Sequence, residues 1–386
     1  MELPAPATRP NLLFLAGEHS GDQHAARMLR EALAVKADMT VCAIGGTELE
    51  HAGAQLLFDL VPHSVVGLFE VLKNYGFFKE LMDKIVAWIK EHRPRTICLV
   101  DYPGFNLRLA ARLQKEGISV KGGGDVSIIY YISPQIWAWK SHRRFKMAKL
   151  IDAMAVIFPF EVDCYADTDL PVTYVGHPFT ERDYQLPLRY DPEGPILLLP
   201  GSRKTPVRRI FPLMLRGFEQ YCVQQPDAPE ALAIYPTDEL RALSEALIKT
   251  YPKIHDKVQL LAADNGVTGA RAVLTSSGTM SLNCALAAIP GAIVYRANPL
   301  TYLIGRRVVK IDRLGIANIL LKRDIYPEFL QGAATSSALS QELDTCLMDP
   351  ARAARTAQLS SELASLLSEQ REISPGAWLL GAPGIS

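Results

Sequence analysis

Twice along this chain a short, unbroken apolar run ends on a glycine-bearing turn and passes at once into an amphipathic stretch. NLLFLA gives way to GEHSGD at residues 11–22, and ILLL gives way to PGSR at residues 196–203. Apolar runs this short suit strands covered on both faces, and helices of ordinary length between them imply parallel pairing with right-handed crossovers. The first half predicts strands at residues 11–16, 39–44, 96–100, 127–132 and 152–157, with helices at 23–36 and 107–116. A polar, proline-rich stretch at residues 177–195 reads as a linker. Beyond it the alternation resumes. Strands are predicted at 196–199, 232–235, 272–275 and 292–295, with helices after PGSR and at 282–288, 299–309, 336–349 and 351–367.

The fold class expected is therefore α/β, with two Rossmann-like domains facing a central cleft. At 386 residues the chain has the length for two domains of roughly 150–200 residues. The expected division is residues 1–178, an acceptor- and membrane-facing domain; 179–350, a donor-binding domain; and 351–386, a closing helix and tail that return to the first. Open α/β sheets bind ligands at the carboxyl ends of their strands, so the turns that follow strands are where chemistry is sought.

Composition narrows the partners. Lys plus Arg equals Asp plus Glu at 41 each, so no global charge points to nucleic acid. Six scattered cysteines, with no CxxC pair and no metal-ligand spacing, fit a reducing compartment. The start, MELPAPATRPN, lacks the basic and apolar regions of a signal peptide, and no window approaches the roughly 20 apolar residues of a spanning helix. A cytoplasmic location is expected.

Four turns carry candidate residues. In GEHSGD, Glu18, Ser20, Gly21 and Asp22 either present backbone N–H groups to an anion or simply cap the following helix. Asp101 follows the strand TICLV, where it is either a general base at a ligand crevice or a turn former before Pro103. In PGSR, Ser202 can hold a phosphate and Arg203 can clamp it and stabilise charge on a leaving group. Ser277, Gly278 and Thr279, ahead of a helix, suit a diphosphate cradle that works without a divalent cation. Neither a metal nor a cofactor is expected.

Two longer stretches are more ambiguous. In YYISPQIWAWKSHRRFKMAK, Trp137 and Trp139 can stack on a sugar, and the cations after them either meet acidic groups or form a solvated helix face. Leu81, Met82, Ile85, Trp88 and Ile89 follow helical spacing and read as core. Upstream, Val66, Leu68, Phe69, Leu72, Tyr75 and Phe77 exceed what one buried stripe needs, and form either a lipid-facing patch or ordinary packing.

Taken in order, these segments resemble the lipid-A-disaccharide synthase family. The likeness is carried by GEHSGD, VGLFEVLKNY, VDYPGFNLRLA, YYISPQIWAWK, IFPFE, YVGHP, LLLPGSR, SSGTMSL, YRANPLTYLIGRRVVK, ANIL and YPEFLQ, between residues 11 and 331. The resemblance implies a GT-B fold and inverting transfer between a UDP-2,3-diacylglucosamine donor and an acylated glucosamine 1-phosphate acceptor, at the inner-membrane surface. It implies Asp101 as the base, Arg203 as the residue stabilising departing UDP, and Asn283, Tyr295, Arg296 and Asn318 near the nucleotide. Three positions depart from the family pattern: Asn283 replaces a Glu, Gly104 replaces the second Asp of DxPDFN, and His19 replaces a small residue. Two other readings are a UDP-N-acetylglucosamine 2-epimerase and a silent lipid-binding paralogue.

Overall fold

The structure is a computed structural model that describes residues 2–63, 75–181, 184–263, 265–298, 312–368 and 371–385. It divides into two compact units, one comprising Met1–Pro178 with Gln370–Ser386 and the other Phe179–Glu369.

The first unit is built on a seven-stranded sheet in the order β3-β2-β1-β4-β5-β6-β7. The strands are β1 (Leu12–Ala16), β2 (Val41–Gly45), β3 (Gln55–Asp59), β4 (Thr96–Val100), β5 (Ser127–Tyr131), β6 (Ala153–Val156) and β7 (Val172–Tyr174). Every pairing among them is parallel. Central strands β1, β4 and β5 are buried along their whole length, as apolar runs flanked by helices must be. The order reverses between β1 and β4, and at such a switch point the loops beyond the strands part to leave a crevice.

Helices α1 (His19–Val35), α2 (Thr47–His51), α3 (Tyr75–His92), α4 (Pro103–Lys115) and α5 (Arg143–Ala148) complete the front of this unit. Leu81, Ile85, Trp88 and Ile89 of α3 are buried in its core, and Met82 packs against it.

The second unit repeats the plan on a six-stranded sheet, order β11-β10-β9-β13-β14-β15. Its strands are β9 (Ile196–Leu199), β10 (Ala231–Tyr235), β11 (Val258–Ala262), β13 (Ala272–Thr275), β14 (Gly291–Tyr295) and β15 (Glu328–Leu330), with β8 (Leu188–Tyr190) and β12 (Thr268–Ala270) as a separate pair. The strand β8 thus falls inside the stretch expected to be a linker. Helices α6 (Lys204–Gln224), α7 (Asp238–Ile248), α8 (Thr279–Leu286), α9 (Ile316–Leu321), α10 (Ser336–Met348) and α11 (Pro350–Ser368) belong here. The half-buried pair Arg352–Glu342, 3.2 Å apart, ties α11 to α10, and Arg352 also donates to the Gly291 and Ile325 carbonyls.

Residues 351–386 do not travel as one block. Helix α11 packs on α8 and α9, whereas α12 (Pro375–Leu380) packs on α1 of the first unit. The division follows from side-chain chemistry. Trp378, Leu379, Ala382 and Ile385 join the apolar cluster of β1, β2 and α1, while Leu359, Leu363 and Leu367 of α11 are buried within the second unit.

Candidate active site

In the first unit the segments after β1 and β4 lie side by side at the switch point. A Cβ on Gly17 would come within 2.3 Å of the Tyr102 ring, so only glycine lets the two segments approach this closely. Asp101 and Tyr102 both adopt left-handed backbone angles, φ 42° and 46°. Each such residue costs on the order of 1–3 kcal/mol unless its surroundings fix it. Here they do. The Asp101 carbonyl accepts from Tyr130 Oη at 2.5 Å and from Asn106 Nδ2 at 2.9 Å, and Asn106 also donates to the Val100 carbonyl at 3.2 Å. Asp101 N–H donates to Tyr131. Pro103 then opens α4 at a position where its missing N–H costs nothing.

The Asp101 carboxyl is raised to about 6 by burial, reinforced by the Glu18 carboxylate and opposed by the Tyr102 N–H. A carboxylate tuned this way is a competent base near neutral pH. Glu18 is the N-cap residue of α1, half-buried, and makes no side-chain cap. Below the site Glu161 is fully buried and raised to about 8, chiefly by burial, with Asp101 adding to the effect. It accepts from Trp137 Nε1 at 3.2 Å and from the Phe158 N–H at 3.1 Å.

In the second unit the turns after β9 and β13 flank the other switch point. Ser276 N–H donates to the Leu199 carbonyl at 2.8 Å, which draws the two turns together. Arg203 is the N-cap of α6 and Gly278 the N-cap of α8, and neither helix start has a side-chain cap. Gly278 has φ 137°, a conformation closed to other residues. Ser202, Arg203, Gly278 and Thr279 are exposed and Ser277 is half-buried. Uncapped helix starts with hydroxyls and a guanidinium beside them suit a diphosphate.

The family model described as lipid-A-disaccharide synthetase matches residues 12–378. Similar proteins include lipid-A-disaccharide synthases from Anaeromyxobacter dehalogenans, 36% identical over 92% of each chain, and from Geobacter sulfurreducens, 33% identical over 90% of this chain and 91% of that one. The chain belongs to this family. The lipid-A-disaccharide synthetase family makes it a hexosyltransferase that forms the lipid A disaccharide from a UDP-sugar donor and a lipid acceptor, and does not favour the epimerase and silent-paralogue readings. Its fold is that of the GT-B glycosyltransferases. Solved relatives in fold are a kitacinnamycin glycotransferase, with TM-score 0.58 and 14% identity over 97% of this chain and 99% of that one, and the Thermosynechococcus elongatus sucrose-phosphate synthase, with TM-score 0.56 and 13% identity over 93% and 95%.

Against this lipid-A-disaccharide synthetase background several expected ligand residues prove structural. Asp22 is buried, and its carboxylate accepts from the Gly46 and Glu48 N–H groups at 2.8 and 3.0 Å, capping α2 rather than binding substrate. Asn318 is fully buried. Its amide oxygen accepts from the Ile325 and Tyr326 N–H groups, and its nitrogen donates to the Tyr326 carbonyl and Glu328, so nothing remains for a nucleotide. Asn283 is buried, with its oxygen accepting from Tyr184 at 3.2 Å, which makes it a strut for the segment before β8. Gly21 is buried where α1 crosses β4, and Ser20 is exposed on the first turn of α1 without capping it.

Trp137 is half-buried, with its N–H on Glu161 and its ring against the edge of Phe160. Trp139 is 47% exposed and carries Lys140 over its ring at 3.9 Å. In the basic run, Arg144 is paired with Asp167 by two contacts of 2.6 Å. Tyr295 ends β14 half-buried, and Arg296 is exposed and lines a cavity with Arg208, Arg209 and Arg216. Val66, Leu68, Phe69 and Leu72 lie outside the described residues, as do the side chain of Tyr75 and the helix expected at 299–309. Phe77 is half-buried, its ring near Phe58, His63 and Phe78.

Sequence reasoning missed Glu161, Asn106 and Tyr130 as parts of the site. All three stand inside motifs that carry the family likeness; Asn106 bonds within its own motif, whereas Tyr130 and Glu161 reach Asp101 and Trp137 in others. Among the described residues no group of three or more His, Cys, Asp or Glu side chains could hold a metal ion, and no helix is long and apolar enough to cross a membrane.

Proposed function

We propose that the donor is UDP-2,3-diacylglucosamine, the acceptor is 2,3-diacylglucosamine 1-phosphate, and Asp101 and Arg203 carry the transfer. Asp101 takes the proton of the acceptor 6-hydroxyl as that oxygen attacks the anomeric carbon. The bond from this carbon to the UDP oxygen breaks, and UDP leaves with the electron pair. Attack from the opposite face inverts the centre and gives a β-1,6 linkage. Arg203, Ser202 and the N–H groups at the start of α6, with Ser277, Gly278 and Thr279 at the start of α8, hold the diphosphate and take up the charge that develops on it. Burial, reinforced by Glu18, keeps the Asp101 proton affinity high.

The observation that carries this reading is the Asp101 backbone, locked in a left-handed conformation at the β1/β4 switch point with its carboxyl raised to about 6. A turn-forming aspartate needs neither the strain nor the burial. UDP release from both acyl sugars together tests it. Release should require the acceptor and vanish in Asp101→Asn. An Arg203→Ala change should slow release about 100- to 1,000-fold, the loss typical of a transition-state donor. Wild-type rates in either variant would end the assignment.

Association with the inner-membrane surface belongs to the same proposal, because both substrates are acylated and residues 66–77 are richer in apolar side chains than one helix face requires. Phe69→Ser with Leu72→Ser should move the protein from the membrane to the soluble fraction. Unchanged partitioning would count against the patch.

A further inference from the structure

A cavity of about 830 Å³ opens on the second unit, and the residues of the β9 and β13 turns are not among those that line it. One wall is α6, which presents Arg208, Arg209, Leu213 and Arg216; the loop after β14 adds Arg296 and the segment after β15 adds Gln331. The spacing explains the wall. Positions 208, 209, 212, 213 and 216 fall on one side of a helix, while Val207, Ile210, Phe211, Met214 and Phe218 are buried on the other. Gln331 accepts from the Ala297 N–H at 3.2 Å, joining the two loops that form the opposite wall.

Four guanidinium groups thus share one cavity, and no carboxylate lines it among the described residues. All four arginines are exposed, and none makes an ion pair among the described residues. Like charges gathered without a counter-ion repel, so the arrangement favours a bound anion over an empty site. Arginine forks match phosphate oxygens in pairs, and Leu213 offers an apolar wall beside them.

We propose that this cavity binds a phosphate-bearing anion, at a site additional to the diphosphate-holding turns. Ser202, Arg203 and Ser277–Thr279 are absent from its walls, and Arg208 lies more than a helical turn beyond Arg203. The phosphate comes either from an anionic lipid headgroup or from a soluble phosphate compound.

The test replaces Arg208, Arg209 and Arg216 with Gln in the full chain. Co-sedimentation with phosphatidylglycerol and phosphatidylcholine vesicles reads the first source, and calorimetric titration with inorganic phosphate reads the second. At about fivefold per basic residue near an anionic surface, the triple variant should lose on the order of 100-fold in phosphatidylglycerol partitioning. Phosphatidylcholine binding and UDP affinity should stay as in the wild type. Loss of phosphate affinity with vesicle binding unchanged would assign the cavity to a soluble ligand. Phosphate and vesicle binding both within twofold of wild type would overturn the site, and a matching fall in UDP affinity would overturn its separateness. Should circular dichroism show the Gln variant unfolded, the triple Lys variant serves: it keeps the charge, loses the paired geometry, and should still weaken phosphate binding.

Discussion

At the residue scale the burial of Asp101 has a direct consequence for pH. With its carboxyl raised to about 6, the proposed base is increasingly protonated as pH falls through that value. The kcat/KM for transfer should therefore drop with an acidic limb centred near pH 6, and Asp101→Asn should remove activity at every pH while its thermal midpoint rises relative to wild type as pH climbs toward 6. Glu161 gives a prediction of opposite use. Its carboxyl rises from 4.5 to about 8 on folding, so the folded protein holds a proton that the unfolded chain releases between those values. Its contribution to stability is complete below pH 4.5 and is lost as pH rises toward 8. Glu161→Gln cannot ionise, so its thermal midpoint relative to wild type should climb from pH 5 to pH 8 and then level off; a constant difference across that range would contradict the buried neutral acid. The sequence marked Asp101 by its place after an apolar strand. It could not mark Glu161, because burial is a property of what packs over a residue. Asn318 misled for a related reason: an amide that binds a nucleotide and one that holds backbone groups look alike until the segment at residues 325–328 folds around it.

At the scale of elements, strands buried on both sides were the most legible. β4, β9 and β13 have the bounds that unbroken apolar runs predict. β3, β7 and β15 are at least partly open to solvent and all stand at sheet edges, so they lack the uninterrupted run that would announce them. Helix starts were displaced where small polar residues imitate turns. α1 begins at His19 rather than residue 23, because Gly21 and its neighbours fold into the first turn to let the helix lie against Val100, 3.6 Å from where a Gly21 Cβ would stand. α8 likewise begins at Thr279, ahead of the apolar residues that suggested it. The β15–α9 junction carries its own prediction. Glu328 accepts from the Leu314 and Gly315 N–H groups and from Asn318, which in turn holds the 325–326 backbone. Asn318→Ala strands several buried polar groups at once and should cost about 2–4 kcal/mol, read as a lower urea midpoint. A loss under about 0.5 kcal/mol would mean that those groups find other partners.

For the molecule as a whole, a balance of 41 basic and 41 acidic residues conceals strong local asymmetry, and the fold reveals it by setting Arg296 beside the three arginines of α6. Connectivity shows the same limit. The tail looked like one returning piece, yet α11 stays with the second unit and only the residues after it complete the first. Trp378, Leu379, Ala382 and Ile385 are buried there, the Gly376 N–H donates to Glu31, and Thr96 and Lys36 donate to the Pro383 and Ile385 carbonyls. Burying two side chains the size of Trp378 and Leu379 contributes roughly 1.5–3 kcal/mol each. A chain shortened to end at Ser368 should therefore lose several kcal/mol of stability by urea unfolding.

That arrangement also sets an order of events at the ribosome. The opening 178 residues emerge with a seam in their core that only the final stretch can fill, and nearly two hundred residues of another unit are translated in between. Until that stretch is made, the groove on α1 stays wet, so the half that holds Asp101 completes its core only after the other unit has been synthesised.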